Sequence, residues 1–539
     1  MLDRTVQAPA LTHRLRIGIV FAQDTRRENW QIRIVNRLRD DPRYLLAAEL
    51  VYPRGFPQRR EPRLFGVLSR LERAILAREP ELETAQFDDK TLQVQGLYQA
   101  GNHELFDAGL AQNAITRLGL DLVIRMVPEP LPESVVALLP LGEWSFSYSA
   151  QQTPTADWTG FSDIVNRQPS TAISLNVRLA GKEIPIAAGA FNLKFSAARN
   201  AGFVKERAVT MLMRELGRLH ATGALHAVEA PPQVDTEPPS GMDIVRYSAG
   251  LATNLLRRFT KAFKARTGIG STVWTLFIGD GDITNFDPSR AVEIPSSRDE
   301  IRADPFLFDH EGETYLFYEA YAAGARKAHI AVGRLEGNEL TPMGIALEKE
   351  HHLSYPFIFR HDGQIFMMPE TNQARRIEIW RCVEFPHKWE LYSTALEGQS
   401  PADSALIEHA GEWWLFTNLS DFHAYEDHCS ELHVFKVDGP TLREVVPHRC
   451  NPVVIDGTTA RNAGRLFSTN GKLYRPSQRN EHGIYGYGLN IMEIDRLNLD
   501  AYEERCARTI VPDFKPGLMG CHHFDATGGR FVIDARLGD

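Results

Sequence analysis

Cysteine is scarce in this chain of 539 residues, which has only five, and no two of them form a CxxC pair. The small, odd number does not fit a disulfide framework, and the missing CxxC pairs argue against a zinc cluster. We therefore expect reduced thiols that mostly fill the core, as in a cytoplasmic protein. We predict neither a bound metal nor a cofactor.

Long apolar runs, a secretion signal and an excess of basic residues are also missing. No apolar run approaches the length that spans a membrane, and the start, MLDRTVQAPALTHRLRIG, lacks the basic-then-apolar pattern of a signal peptide. Lysine and arginine number 60 against 69 acidic residues, a formal charge of −9. This balance does not favour a general nucleic-acid binder. The expected location is cytoplasmic, with no transmembrane segment.

The chain is too long for one core, and its N-terminal part, residues 14–227, alternates strand and helix patterns. Apolar runs predict buried strands at residues 14–21, 45–52 and 120–127. Between the first two, Trp30, Ile34 and Leu38 recur every four residues and predict an amphipathic helix, as does the pattern at 205–220. Such alternation is typical of an α/β domain with a Rossmann-type, doubly wound sheet.

Residues 228–268 predict a linker followed by a connector helix. The stretch VEAPPQVDTEPPSG contains four prolines and no apolar periodicity. After it, residues 250–268 place Leu251, Leu255, Phe259 and Phe263 on one helical face and carry five cations but no acid. Two interpretations stay open: the helix binds a membrane surface, or it packs between the two domains with its basic side solvated.

From residue 269 onward one hairpin pattern occurs five times. The copies are ADPFLFDHEGETYLFYEA, SYPFIFRHDGQIFMMPET, ADSALIEHAGEWWLFTNL, NAGRLFSTNGKLYRPSQR and GCHHFDATGGRFVIDARL. Their turn glycines are Gly312, Gly363, Gly411, Gly471 and Gly529, separated by 51, 48, 60 and 58 residues. A repeat of about fifty residues suits a four-stranded propeller blade, so residues 269–539 predict a five-bladed β-propeller.

Polar residues recur where each hairpin begins and ends. Eight positions before the glycine are Asp304, Tyr355, Asp403, Ala463 and Cys521, and seven positions after it are Glu319, Glu370, Asn418, Gln478 and Arg536. The first strand of a blade lines the central channel, and the two ends of a hairpin lie together. One rim of the channel should therefore gather several carboxylates, which is costly without cations, hydrogen bonds or protonation to compensate. The pattern indicates a polar ligand site, and the alternative is that these residues tie neighbouring blades together.

These hairpins resemble the five-bladed propeller glycosidases of the arabinanase and β-xylosidase type. The resemblance implies that Asp304, in its ADP motif, is a general base and that Asp403 is the acid. The family's second-blade aspartate, which tunes the acid, corresponds here to Tyr355 in SYPFIF. The catalytic trio is thus only partly present.

A closer resemblance covers about residues 270 to 510. The motifs ADPFLF, LSYPFIF, MMPET, CVEFPHKWEL, RNAGRLF and LYRPSQ are similar to the N-terminal domain of plant glucosamine inositolphosphorylceramide transferases. In that family the tyrosine motif is normal, and sugar transfer is ascribed to a separate C-terminal glycosyltransferase domain. We expect this chain to lack that domain.

The N-terminal part more weakly resembles formyltransferases. Their Asn-x-His pair corresponds to Ser145 and Ser147 in GEWSFSYSAQQ, and LAGKEIPIA offers no aspartate for their DxG turn. A formyltransferase-like domain is therefore expected, but without one-carbon transfer.

Together these patterns predict a carbohydrate-active protein that binds a glycan or glycolipid and cleaves or transfers a glycosyl unit, in bacterial-type surface glycan metabolism. Asp304 is the base candidate, and Asp403 or Glu370 the acid. The residues expected to bind substrate are Glu319, Tyr355, Arg461, Asn462, Arg465, Arg475, Gln478 and His522. His522, in CHHFD, is alternatively a metal ligand. The competing hypotheses are a non-catalytic glycan-recognition module and a formyltransferase-like enzyme, and a homo-oligomer is possible.

Overall fold

The computed structural model describes residues 5–7, 14–22, 27–52, 63–76, 84–85, 98–99, 108–127, 129–148, 159–229, 239–267, 274–295, 300–322, 327–420 and 427–538. The chain divides into two compact units, with the main boundary between Asn254 and Leu255. Each unit is described by itself below.

The first unit combines helices with a large sheet. Its helices, with the long connector, are α1 (Asn29–Asp40), α2 (Arg63–Leu76), α3 (Ala108–Leu118), α4 (Glu133–Val136), α5 (Phe161–Val165), α6 (Ala197–Thr222) and α7 (Gly241–Thr267). Its strands are β1 (Thr5–Gln7), β2 (Leu15–Ala22), β3 (Arg27–Glu28), β4 (Tyr44–Tyr52), β5 (Thr84–Ala85), β6 (Tyr98–Gln99), β7 (Leu122–Arg125), β8 (Glu143–Tyr148), β9 (Ser170–Leu179), β10 (Lys182–Asn192) and β11 (Ala224–His226).

Seven of these strands form one mixed sheet in the order β10-β9-β8-β7-β2-β4-β6. The three predicted strands are β2, β4 and β7, and they pair in parallel. The sheet differs from a wholly parallel one because β9 and β10 form an antiparallel hairpin beside β8. Ala180 and Gly181 make its two-residue turn, both with positive φ, and so short a connection permits only antiparallel pairing.

The helices of the first unit pack as their periodicity predicts. Trp30, Ile34 and Leu38 of α1 are buried. Helix α6 is longer than the predicted 205–220 because Ser196 caps it, its hydroxyl accepting the backbone N–H of Arg199 at 3.4 Å, and because the left-handed Gly223 ends it.

The predicted linker lies largely outside the described residues, which resume at 239. Helix α7 begins at Gly241, nine residues before the predicted start, and ends at Thr267. None of the described helices is both long enough and apolar enough to cross a bilayer.

The second unit is a five-bladed β-propeller, which confirms the prediction. The first blade consists of β14 (Glu300–His310), β15 (Glu313–Ala322), β16 (His329–Glu336) and β17 (Glu339–Leu347). The second consists of β18 (Ser354–His361), β19 (Gln364–Glu370), β20 (Ile377–Glu384) and β21 (Lys388–Ala395). The third consists of β22 (Ala402–His409), β23 (Glu412–Asn418), β24 (Glu431–Val437), β25 (Val445–Pro447) and β26 (Val454–Ile455). The fourth is β27 (Phe467–Thr469), β28 (Lys472–Glu481), β29 (Ile484–Leu497) and β30 (Tyr502–Ile510).

The fifth blade is built from both ends of the propeller. Strands β12 (Trp274–Asp280) and β13 (Val292–Ile294) join β31 (Leu518–Gly520), β32 (Phe524–Thr527) and β33 (Arg530–Leu537). The pairing of β12 with β33 closes the ring because it joins the start of the propeller to its end.

All five inner hairpins turn in the same way. Each turn glycine has a positive φ, and the residue before it does too: Glu311, Asp362, Ala410, Asn470 and Gly528. Two successive left-handed residues are the pattern of a type I′ turn, which matches the twist of the strands. This conformation explains why glycine recurs at that position.

Candidate functional site

Three blades present a channel residue from a strained backbone. Asp304, Tyr355 and Asp403 hold the same position in their hairpins and have φ values of 49°, 47° and 45°. At each of them the ladder between the first two strands shifts register, so the residue lies in a bulge. Non-glycine residues rarely adopt this conformation, and such strain concentrates at functional sites.

Asp304 is buried, with 7% of its surface exposed, and is surrounded by donors. The backbone N–H of Tyr355 donates to its Oδ2 at 3.2 Å. Its Oδ1 lies 3.6 Å from His522 Nε2 and 3.5 Å from His523 Nδ1. Burial by itself would raise the pKa of Asp304, but the hydrogen bond from His523 and the charges of both histidines and Arg461 lower it well below its ordinary value.

Glu319 is the neighbour of Asp304 with the opposite shift. It pairs with Ala303 in the hairpin, so its carboxyl reaches the same place. Burial, the charges of Asp304 and Glu370, and a hydrogen bond with Asp304 raise the pKa of Glu319 well above its ordinary value. His352 Nε2 lies 3.4 Å from Glu319 Oε1, and burial lowers the pKa of this histidine.

Asp403 and Glu370 form a second carboxyl pair with Arg461. Arg461 Nε donates to Asp403 Oδ2 at 2.6 Å, and its Nη2 lies 3.5 Å from Glu370 Oε2. Gln478 donates to the same oxygen of Asp403 at 3.4 Å. Burial, the charge of Asp403 and a hydrogen bond with Asp403 raise the pKa of Glu370 well above its ordinary value, although Arg461 opposes the shift.

His522 is the residue of CHHFD that reaches this cluster. Its Nδ1 lies 2.7 Å from Asp534 Oδ2, and its ring stacks on Trp274 with 4.1 Å between centroids. Burial lowers the pKa of His522, but the charge and hydrogen bond of Asp534 and the charge of Asp304 raise it above its ordinary value. Asp304, His522 and Asp534 could together hold a metal ion, since one ligand atom from each lies within 4.8 Å of the others.

Three other predicted substrate-binding residues have their polar groups bonded to the protein itself. The Tyr355 hydroxyl donates to the Gly464 carbonyl at 2.7 Å and accepts the Gly464 N–H at 3.0 Å. Asn462 donates to the Asp403 carbonyl at 2.8 Å, and so supports the backbone of the site. Arg465 donates to Asp525 at 2.6 Å.

Arg475 is not part of the carboxyl cluster. Its side chain is wholly buried and donates to Glu504 at 3.0 and 2.6 Å, with further bonds to the carbonyls of Thr459 and Ala460. It therefore joins two strands of the fourth blade.

The sequence reasoning did not identify Asp534, although the repeat contains a signal for it. Asp534 is fully buried, and its Oδ1 accepts the backbone N–H groups of His522 and His523 at 3.0 and 2.9 Å. It stands five positions after its turn glycine, where the other copies have Phe317, Met368, Phe416 and Pro476. An acid at a repeat position that is apolar in the other four copies indicates that Asp534 does more than fill the core.

The arrangement separates neighbouring carboxyls by protonation state. Asp304 is held ionised, whereas Glu319 and Glu370 are favoured in the protonated form. Titratable pairs whose environments push their pKa values apart are the usual basis of acid–base assignments. The cluster can thus offer both a proton donor and a proton acceptor.

Residues 289–516 match the family model of Glucosamine inositolphosphorylceramide transferase 1, N-terminal. The resemblance predicted from the propeller motifs is confirmed. Glucosamine inositolphosphorylceramide transferase 1 of Oryza sativa subsp. japonica is 34% identical over 233 residues, which are 42% of this chain and 31% of that protein. The Arabidopsis thaliana protein of the same name is 33% identical over 243 residues, 43% of this chain and 31% of its own length. The match thus spans about a third of these relatives.

Among solved structures, an α-L-arabinofuranosidase from Lactobacillus brevis has a TM-score of 0.32 and 13% identity, covering 42% of this chain and 79% of that one. The RS223 β-xylosidase has a TM-score of 0.32 and 13% identity, covering 44% of this chain and 92% of that one. Scores at this level support no argument about function.

Proposed function

We propose that the propeller channel binds a glycosyl unit and cleaves or transfers it by carboxyl acid–base chemistry. In this scheme Glu370 gives its proton to the leaving oxygen as the glycosidic bond breaks. Asp304 takes the proton of the attacking water or hydroxyl group. The observation that carries the proposal is the opposite pKa shift of these two carboxyls within one buried cluster.

Glu370 is a better acid candidate than Asp403. Asp403 forms a close ion pair with Arg461 at 2.6 Å, so its Oδ2 already has a partner in the protein. Glu370 is farther from the same guanidinium, at 3.5 Å, and its pKa is raised. Asp403 then holds Arg461 in place, and Arg461 limits the cost of burying two acids together.

The charge of the cluster favours a cationic or neutral sugar. Five carboxyls lie in it, those of Asp304, Glu319, Glu370, Asp403 and Asp534. Arg461 is occupied by Asp403, and Arg465 by Asp525, so neither guanidinium is available as the anion-binding group expected from the sequence. The relatives are named for glucosamine, an amino sugar whose ammonium group would be attracted to such a site. We therefore propose a glucosamine-containing glycan or glycolipid as the substrate class.

Glycoside hydrolysis with two kinds of leaving group tests the proposal. The full chain would be incubated with 4-nitrophenyl and methyl 2-amino-2-deoxyglucosides of both anomers, and free glucosamine would be measured. A 4-nitrophenolate leaves without protonation, whereas a methoxide does not. We expect Glu370→Gln to reduce turnover of the methyl glycosides far more than that of the 4-nitrophenyl glycosides.

Two controls define the outcome of this experiment. Glu378→Gln changes a buried acid on the third strand of the same blade, which pairs with Arg376 at 2.7 Å, and should leave both substrates unaffected. Equal losses on both substrates would contradict the acid role of Glu370. If the wild-type chain neither hydrolyses these glycosides nor binds glucosamine in calorimetry, the amino-sugar assignment is wrong.

The second candidate is a propeller that binds a glycan without turnover. It is favoured by Tyr355, because its hydroxyl is held by Gly464 and so cannot supply the hydrogen bond that a tuning aspartate would make. Glucosamine binding without hydrolysis or transfer, unchanged in Glu370→Gln, would select this function.

For the first unit, the formyltransferase-like fold stays a prediction, as does a cytoplasmic location. Ser145 and Ser147 lie on β8, and Ser147 accepts a hydrogen bond from Asn176 at 2.8 Å. Neutral serine cannot act as an acid–base group at pH 7, which supports the proposal that the unit does not transfer formyl groups. Formyl transfer from a folate donor by the full chain would contradict it.

A further inference from the structure

Helix α7 exposes large apolar side chains in the half that follows the first unit. Leu256 is 64% exposed, Phe259 is 71% exposed and Leu255 is 38% exposed. At about 100° per residue, positions 255, 256 and 259 lie within roughly 100° of arc, so they form one apolar face. An exposed apolar face of this kind marks an interaction surface.

The same stretch is strongly basic. Residues 250–267 contain Arg257, Arg258, Lys261, Lys264 and Arg266 and no acid, so their formal charge is 5 − 0 = +5. The whole chain has a charge of −9, which makes this concentration of cations a local feature. Helical spacing places positions 257, 261 and 264 on the side opposite the apolar face and position 258 beside that face.

From this combination we propose that α7 docks on an anionic lipid bilayer, with Leu256 and Phe259 inserted at the level of the acyl chains. A helix that has leucine and phenylalanine on one face and lysine and arginine on the other is the type that lies in a membrane interface. Anionic headgroups would attract the five cations of residues 250–267.

A second copy of the chain fits this surface less well. Pairing of two α7 helices would bring cations near cations, with no acid within residues 250–267 to neutralise them. A nucleic acid would neutralise the cations but would leave the apolar face without a partner. The bilayer satisfies both features. The inference does not depend on the chemistry proposed for the channel.

Vesicle flotation of the full chain tests the inference. Vesicles of phosphatidylcholine alone would be compared with vesicles that also contain phosphatidylglycerol. We expect binding only to the anionic vesicles. Leu256→Gln with Phe259→Gln should weaken it by at least about tenfold because the inserted area is lost. Arg257→Gln with Arg258→Gln should weaken it by about fivefold for each arginine.

The matched control is Val383→Gln with Leu391→Gln, which removes two exposed apolar side chains (63% and 44%) from the propeller surface. It should leave vesicle binding unchanged, and melting temperatures of all variants would verify folding. Absence of vesicle binding by the wild type, or equal binding of the α7 variants, would overturn the inference. So would a dimer that the Leu256→Gln, Phe259→Gln variant dissociates, or a preference for duplex DNA over vesicles.

Discussion

Asparagine in place of Asp304 separates the catalytic role of this residue from a structural one. The amide is nearly isosteric with the carboxylate, and asparagine tolerates the left-handed φ of 49°. Its oxygen can still accept the N–H of Tyr355, which now lies 3.2 Å from Oδ2. The substitution therefore removes the negative charge and the basicity and preserves the local backbone.

The expected loss of stability is small. Two ionic contacts of 3.5 and 3.6 Å to His523 and His522 disappear, and His522 keeps Asp534 at 2.7 Å. We put these contacts at about 1–2 kcal/mol together, since both are longer than a charged hydrogen bond. A decrease of about 1–2 kcal/mol in the free energy of unfolding corresponds to about 2–8 °C in melting temperature for a domain of this size.

The expected loss of turnover is much larger. Removal of a general base typically reduces the rate by about 10²–10⁴-fold, or about 3–5 kcal/mol in barrier height. Turnover would be measured with the glucosides above, well below the melting temperature, and stability by thermal unfolding of the same preparation.

Glu504→Gln provides the opposite pattern as a control. Glu504 neutralises the wholly buried Arg475 at 2.6 Å, and loss of its charge should cost about 3–5 kcal/mol of stability. Its folded fraction should nevertheless retain wild-type turnover. If Asp304→Asn turned over substrate at more than a tenth of the wild-type rate, the assignment of Asp304 as the base would be refuted.

Three further predictions concern stability. Because folding raises the pKa of Glu370, wild-type stability should fall as the pH rises above the unfolded-state value of about 4.3. In urea unfolding at pH 7, Glu370→Gln should therefore be more stable than the wild type. An equal difference in stability at pH 4 would contradict the raised pKa. Tyr355→Phe leaves the buried Gly464 groups without their 2.7 and 3.0 Å partner and should cost about 1–3 kcal/mol in urea unfolding, whereas an unchanged midpoint would show that the hydroxyl is dispensable. Gly464→Ala would place a Cβ 1.8 Å from the Phe524 carbonyl oxygen and should prevent folding of the propeller. At Gly312 an added Cβ would meet no other part of the protein within 4 Å, so Gly312→Ala should lose only about 1 kcal/mol of stability to backbone strain. Circular dichroism of both variants measures whether each one folds.

The repeat pattern is the part of the structure that sequence reasoning reached most directly. The turn glycines and the core positions after them are local features, because a type I′ turn and a two-residue alternation are determined within one hairpin. The fourth copy, NAGRLFSTNGKLYRPSQR, begins at Asn462, but its first strand forms later than the repeat predicts. Residues 462–466 form only a single bridge, Asn462 to Ser477, before β27 begins at Phe467. Gly464, with φ 139° against the Phe524 carbonyl, interrupts a regular strand there.

The composition of the fifth blade was not predictable from the repeat. Strands β12 and β13 precede the first hairpin by sequence, and only closure of the ring brings them beside β33 at the other end of the propeller. No local pattern specifies a partner more than two hundred residues away.

The sequence by itself determined that acids gather at one rim, since hairpin ends coincide and their positions in the repeat can be counted. Tertiary structure alone decided how each acid is used. Asp304 lies beside two histidines, and Asp403 forms an ion pair with Arg461. Glu370 and Glu319 are buried next to these carboxylates, which raises the pKa of both glutamates. The pKa of a buried group depends on charges a few ångströms away, and here these charges come from other blades. Because the sequence of one blade does not specify its distance from the others, the pKa shifts could not be predicted from the repeat.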